Sequence, residues 1–127
     1  MLTVEQTDFY EQNGYLMVED VITKDELNKL QEITYDFIES SRQVTENDDV
    51  FDLDEGHSAE TPRLTRIKLP HKQDKYFDEI LKNSGVTEVL RDLLGDHATL
   101  LTSKLNTKAP GGGMAVEWHQ DWAFYPH

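Results

Sequence analysis

Toward the end of this 127-residue sequence, Glu117-Trp118-His119-Gln120-Asp121-Trp122 is the densest run of side chains able to do chemistry. In an extended strand His119 and Asp121, two positions apart, point to the same face. An imidazole and a carboxylate aimed together can take two adjacent positions on an octahedral metal. That is two-thirds of the 2-His-1-carboxylate set that holds Fe(II) in non-haem oxygenases. The mixed N,O donors suit Fe(II), and three open positions leave room for a cosubstrate and O₂. Spacing alone is weakly specific, since 5 His and 13 Asp in 127 residues give about 0.5 such pairs by chance. The alternative is a surface histidine beside an ordinary acid.

Other chemistries lack their residues. There is no Cys, which excludes thiolate catalysis, a disulfide scaffold, an iron–sulfur cluster and a Cys-ligated zinc. No Gly-x-Ser-x-Gly elbow is present, and Pro110-Gly111-Gly112-Gly113 is followed by no Gly-Lys-Ser/Thr, so it reads as a turn and not a phosphate loop. With 12 Lys+Arg against 25 Asp+Glu the net charge is −13, which argues against nucleic acid and anionic membranes as partners. No apolar run approaches the ~18 residues of a membrane span. The start at Met1–Thr7 lacks the basic residues of a signal peptide, so a cytoplasmic protein is expected.

The length fits a single domain over 1–127. Thr3-Val4-Glu5-Gln6 and Thr23-Lys24-Asp25-Glu26 both have capping-box form. The first opens a short helix that stops at Gly14, and Tyr15–Val18 then reads as a strand. The second opens a helix over Lys24–Ser40, with Leu27, Leu30, Ile33, Phe37 and Ile38 on one face. Thr45–Glu60 carries seven acidic residues and no Lys or Arg, and is expected to be a solvated, mobile loop that could serve as a flap. In Pro62–Leu69, alternation puts Leu64, Arg66 and Lys68 on one strand face and Thr65, Ile67 and Leu69 on the other. Helices are expected at Asp74–Lys82 and Val86–Leu94, the second burying Val86, Val89, Leu90, Leu93 and Leu94. Strands are expected at Ala98–Asn106 and Ala115–Phe124, around a turn at Ala109–Gly113. His57, His71 and His97 are scattered and read as surface residues, and Trp118, Trp122, Phe124 and Tyr125 suit either a substrate pocket or a core.

Trp118-His119-Gln120-Asp121-Trp122 behind a Pro-Gly-Gly-Gly turn, together with Phe9–Leu16 leading into Thr23–Leu27, resembles the phytanoyl-CoA dioxygenase family of Fe(II)/2-oxoglutarate oxygenases. The resemblance spans nearly the whole chain. It implies an α+β fold, in which N-terminal helices lead into the first strands of a double-stranded β-helix of the jelly-roll or cupin kind. It implies Fe(II) and 2-oxoglutarate, with ascorbate as an optional addition, and hydroxylation of a small organic molecule. Residue by residue, His119 and Asp121 match two metal ligands. Gln120 matches a position that contacts 2-oxoglutarate. Arg66 matches a basic residue that reaches cosubstrate or substrate, with Lys68 taking its place if the register slips by two. Because Asp121 is present where related halogenases lack the carboxylate, the resemblance favours hydroxylation.

The departures are as informative. Family members are roughly twice as long, and their second iron His and their 2-oxoglutarate Arg lie on later strands. His127, six residues past Asp121 and next to Pro126, is poorly placed to join a compact site. The sequence is therefore expected to be the N-terminal half of such an oxygenase, incomplete as given, with unpaired strand edges open to self-association. The rival expectation is a non-catalytic fragment or interaction module that keeps only the first half of the fold.

Overall fold

Both capping boxes form. Thr3 Oγ1 accepts from the Gln6 amide while Gln6 Oε1 accepts from the Thr3 amide, opening helix α1 over Val4–Asn13. The helix ends where Gly14 takes φ 77°, its N–H donating to the Tyr10 carbonyl at 2.8 Å. Thr23 and Glu26 repeat the reciprocal cap at the start of α2, Lys24–Ser40. These are findings on a computed structural model that describes residues 2–111 and 115–125.

The remaining elements are β1 (Phe51–Leu53), β2 (Leu64–Lys68), α3 (Pro70–Gln73), α4 (Lys75–Asn83), α5 (Gly85–Leu94) and β3 (Lys104–Asn106). Single 3₁₀ turns lie at Ser41–Gln43 and Asp121–Phe124. The strands make one antiparallel sheet in the order β1-β2-β3. One face of the sheet buries Phe51, Leu64 and Ile67 against Phe37 and Ile38 of α2, with Val44, Val50, Leu53 and Leu105 around them. Helices plus a small antiparallel sheet are the expected α+β arrangement.

Several expectations are corrected. Thr45–Glu60 is exposed over much of its length, but it is not loop throughout. It contains β1, whose Phe51 is 6% exposed, and two of its acids, Asp48 and Asp54, accept from backbone amides. Asp48 accepts from the Val50 and Phe51 amides at 2.7 and 2.6 Å, and Asn47 accepts from the Leu53 amide at 2.9 Å. Strict alternation also fails in β2. The register slips between Asp52 and Leu53, which pair with Arg66 and Leu64, so Thr65 bulges and Leu64 and Ile67 enter the same core. Arg66 and Lys68 still share the opposite face.

Tyr15–Val18 forms no strand, because no neighbour pairs with it; Tyr15 and Met17 are exposed. Of Ala98–Asn106 only Lys104–Asn106 pairs with β2. Within 115–125 the chain is irregular up to Gln120 and then forms the 3₁₀ turn, so His119 and Asp121 do not lie on a strand. Gly112 and Gly113 of the expected turn, and His127, lie outside the described residues. Helix α5 packs on α4, but its apolar stripe is not sealed: Leu90 and Leu94 are exposed and none of its residues is fully buried.

Candidate metal and cosubstrate site

His119 and Asp121 meet without a strand to align them. His119 Nδ1 lies 2.7 Å from the Glu117 carbonyl oxygen. A carbonyl can only accept, so Nδ1 carries the hydrogen and Nε2 is turned outward. Nε2 then stands 3.3 Å from Asp121 Oδ1. The Phe124 ring packs edge-on against the imidazole, with centroids 5.5 Å apart. The 3₁₀ turn Asp121–Phe124 thus brings both the carboxylate and the ring back toward His119.

This geometry fits an ion pair and equally fits two cis donors on one metal. Two donors bound cis at about 2.1 Å on an octahedral ion lie about 3.0 Å apart. A nitrogen lone pair facing a carboxylate oxygen repels it unless a positive charge, a proton or a metal, lies between them. The side chains are 38% and 65% exposed, so a bare ion pair here would contribute little. Ligating histidines commonly donate their other N–H to a backbone carbonyl, as His119 does to Glu117. The N,O donor set therefore fits two positions of Fe(II). Among the described residues, no group of three or more His, Cys, Asp or Glu side chains that could hold a metal comes together, and His119 and Asp121 stand as a pair of candidate donors.

The basic strand builds a second feature. Asp52 on β1 receives both cations of β2: Lys68 Nζ lies 3.0 Å from Oδ1 and Arg66 Nη1 lies 3.3 Å from Oδ2. Lys104 on β3 is the cross-strand partner of Lys68, so three cations share one sheet face. They line a cavity of about 290 Å³ with Asp49, Leu69, Thr102, Ser103 and Tyr125. Tyr125 follows directly on the turn that begins at Asp121, and this short link joins the cation cavity to the donor pair. Among the described residues, no hydrogen bond or ion pair joins Arg66 to His119 or Asp121 directly. Gln120 is exposed, and its carbonyl accepts from the Ala123 amide at 3.2 Å.

The family is decided by comparison of the whole chain. Residues 10–127 match the model of the phytanoyl-CoA dioxygenase (PhyH) family. The chain belongs to the phytanoyl-CoA dioxygenase family. Its relatives include a probable alpha-ketoglutarate-dependent hypophosphite dioxygenase of Stutzerimonas stutzeri, 31% identical over 97% of this chain and 43% of that protein. A probable phytanoyl-CoA dioxygenase of Caenorhabditis elegans is 29% identical over 99% of this chain and 43% of its own length. The ectoine dioxygenase of Sphingopyxis alaskensis is 25% identical over 95% of this chain and 38% of its own length. The chain spans less than half the length of the curated relatives it matches. Oxidoreductase chemistry of the dioxygenase kind is the family's activity. No helix among the described residues is long and apolar enough to cross a membrane.

Other expected sites in the chain resolve differently. His57 is not a loose surface residue: its Nδ1 accepts from the Arg63 amide at 2.9 Å and its Nε2–H donates to the Ser41 carbonyl at 3.1 Å. It pins the acidic segment to the end of α2. His71 is likewise engaged, its Nδ1 lying 2.5 Å from Ser103 Oγ. Trp118, Trp122 and Phe124 are exposed, and Tyr125 is the one of the four aromatics that lines the cation cavity. Asp52 was missed in the sequence. Its signal was the Phe51-Asp52-Leu53 alternation inside an otherwise acidic run.

Proposed function

We propose that this chain carries the first two iron ligands and part of the cosubstrate seat of an Fe(II)- and 2-oxoglutarate-dependent dioxygenase that hydroxylates a small organic substrate. The observation that carries the reading is the His119 Nε2–Asp121 Oδ1 approach of 3.3 Å in a phytanoyl-CoA dioxygenase chain. His119 and Asp121 would hold two cis positions of Fe(II), with Glu117 keeping the ring in the ligating tautomer through its carbonyl. Bound iron would supply O₂ activation coupled to oxidation of 2-oxoglutarate. Arg66, with Lys68 beside it, would receive a carboxylate of 2-oxoglutarate in place of part of the Asp52 pairing, and Gln120 would contact the same cosubstrate. The small sheet would be the start of a double-stranded β-helix. The third ligand and a second carboxylate-binding cation would come from outside these 127 residues, a reading supported by the 43% share of the relatives that the chain spans.

The test is an anaerobic titration of Fe(II) with 2-oxoglutarate, following the visible charge-transfer band of the chelated cosubstrate. The band should appear in the intact protein and be lost in both His119→Ala and Asp121→Ala. A band of wild-type strength in either variant would sink the ligand assignment. A second reading, a non-catalytic interaction module, is favoured by the absence of a third ligand among the described residues. It predicts no iron uptake, together with a stable complex seen by light scattering.

A further inference from the structure

The cation cavity ends on a strained backbone position. Leu69, immediately after Lys68, takes φ 48° and ψ 50°. This left-handed region is costly for a residue with a branched side chain, and such conformers persist only where the surroundings hold them. Three features hold Leu69 and the two residues after it. Its N–H donates to the Ser103 carbonyl at 3.0 Å. The Ser103 hydroxyl lies 2.5 Å from His71 Nδ1, joining segments 32 positions apart in sequence. Pro70, between Leu69 and His71, is buried at the first position of α3. Ser103 therefore grips both sides of the kink, Leu69 through its backbone and His71 through its side chain.

The kink lies at the site and not at a remote turn. Leu69 and Ser103 line the same cavity as Arg66 and Lys68, and Ser103 precedes Lys104, the cross-strand partner of Lys68. Ending β2 at Lys68, with the kink immediately after it, keeps that side chain at the cavity wall. On the other edge of β2, the Lys68 amide donates to the Val50 carbonyl at 2.7 Å. Lys68 is thus fixed from β1 on one side and from the Ser103 clasp on the other.

We propose that Ser103, braced by His71, is a positioning residue for the carboxylate seat: the clasp keeps Leu69 left-handed and so holds Lys68 and Arg66 convergent on a bound dicarboxylate. The inference rests on the reading of Arg66 and Lys68 as the cosubstrate's cations. The hydroxyl is needed; its precise side-chain size is not. Ser103→Thr should therefore preserve the function and Ser103→Ala should not.

The experiment is a metal-free NMR titration of the protein with 2-oxoglutarate, following the Arg66 and Lys68 side-chain signals, with a thermal midpoint measured on each variant. The wild-type titration tests the cation assignment by itself; if those signals do not respond, that assignment fails and the positioning role falls with it. Given a response, Ser103→Ala should raise the dissociation constant about fivefold, the scale of one lost hydrogen bond, with a nearly unchanged midpoint. Ser103→Thr should restore it, and His71→Phe should behave like Ser103→Ala. Unchanged affinity in Ser103→Ala overturns the proposal. So does a loss of affinity that tracks a falling midpoint and is not rescued by threonine, since that marks a purely structural clasp.

Discussion

Lys68 and Arg66 close on the two oxygens of a single carboxylate, that of Asp52, at 3.0 and 3.3 Å. One acid on a neighbouring strand thus holds two cations in a chain of net charge −13, rich in other acids. The arrangement keeps the pair convergent and at the same time competes with any incoming anion.

The competition is measurable. Asp52→Asn keeps the shape and removes the charge, so 2-oxoglutarate should bind about threefold more tightly, the scale of partly exposed ion pairs worth under about 1 kcal/mol. Isothermal titration of the two proteins at equal ionic strength decides it. Weaker binding in the variant would mean that Asp52 orients the cations more than it occupies them.

The acidic segment should loosen in acid for a specific reason. Amide hydrogen bonds from Phe51 and then Val50, with the Lys68 charge nearby, hold the Asp48 carboxyl below its ordinary value. A carboxyl with a lowered folded-state pKa contributes stability that is complete above its unfolded pKa and is lost as pH falls through the folded one. Thermal midpoints of the wild type should therefore fall more steeply below about pH 4 than those of Asp48→Ala, which should start about 1 kcal/mol less stable at neutral pH. Parallel curves for the two proteins would contradict this account.

Two glycines should respond differently to alanine. At Gly85 a Cβ would lie 2.5 Å from the Val21 carbonyl oxygen, a clash with backbone that cannot swing aside. Gly85→Ala should cost about 1–3 kcal/mol and disturb the packing of the α1–α2 connection on α5. Gly14 has open space around its Cβ position but φ 77°, so its alanine variant should lose only about 1 kcal/mol. Denaturant unfolding ranks them, and the reverse order would refute the steric argument.

In the core, Ile67 is fully buried between Phe51 and Leu64. Ile67→Ala should destabilise by about 2–5 kcal/mol. Leu94→Ala, on the open stripe of α5 and 59% exposed, should cost well under half of that. Equal losses in urea unfolding would show that α5 is buried against something in solution.

What the amino-acid order decided by itself is local. Thr3 with Gln6 and Thr23 with Glu26 mark helix starts, because a reciprocal cap needs only residues three apart. Gly14 and Gly95 mark helix ends for an equally local reason. The α2 stripe was legible too, with Ile33 buried and Phe37 and Ile38 packed on the sheet core. His119 and Asp121 stood out as candidate donors from their types and spacing.

Tertiary structure decided everything that depends on a partner distant in the chain. Whether Tyr15–Val18 or Phe51–Leu53 becomes a strand turns on which neighbour offers backbone groups, and β2 offers them to Phe51. The Thr65 bulge, which sends Leu64 and Ile67 to one side, exists only in the pairing with β1. His119 and Asp121 converge not through strand alternation but through the Glu117 carbonyl and a 3₁₀ turn. The Ser103–His71 clasp spans 32 positions and left no local trace, since hydrogen bonds between distant segments obey no sequence period.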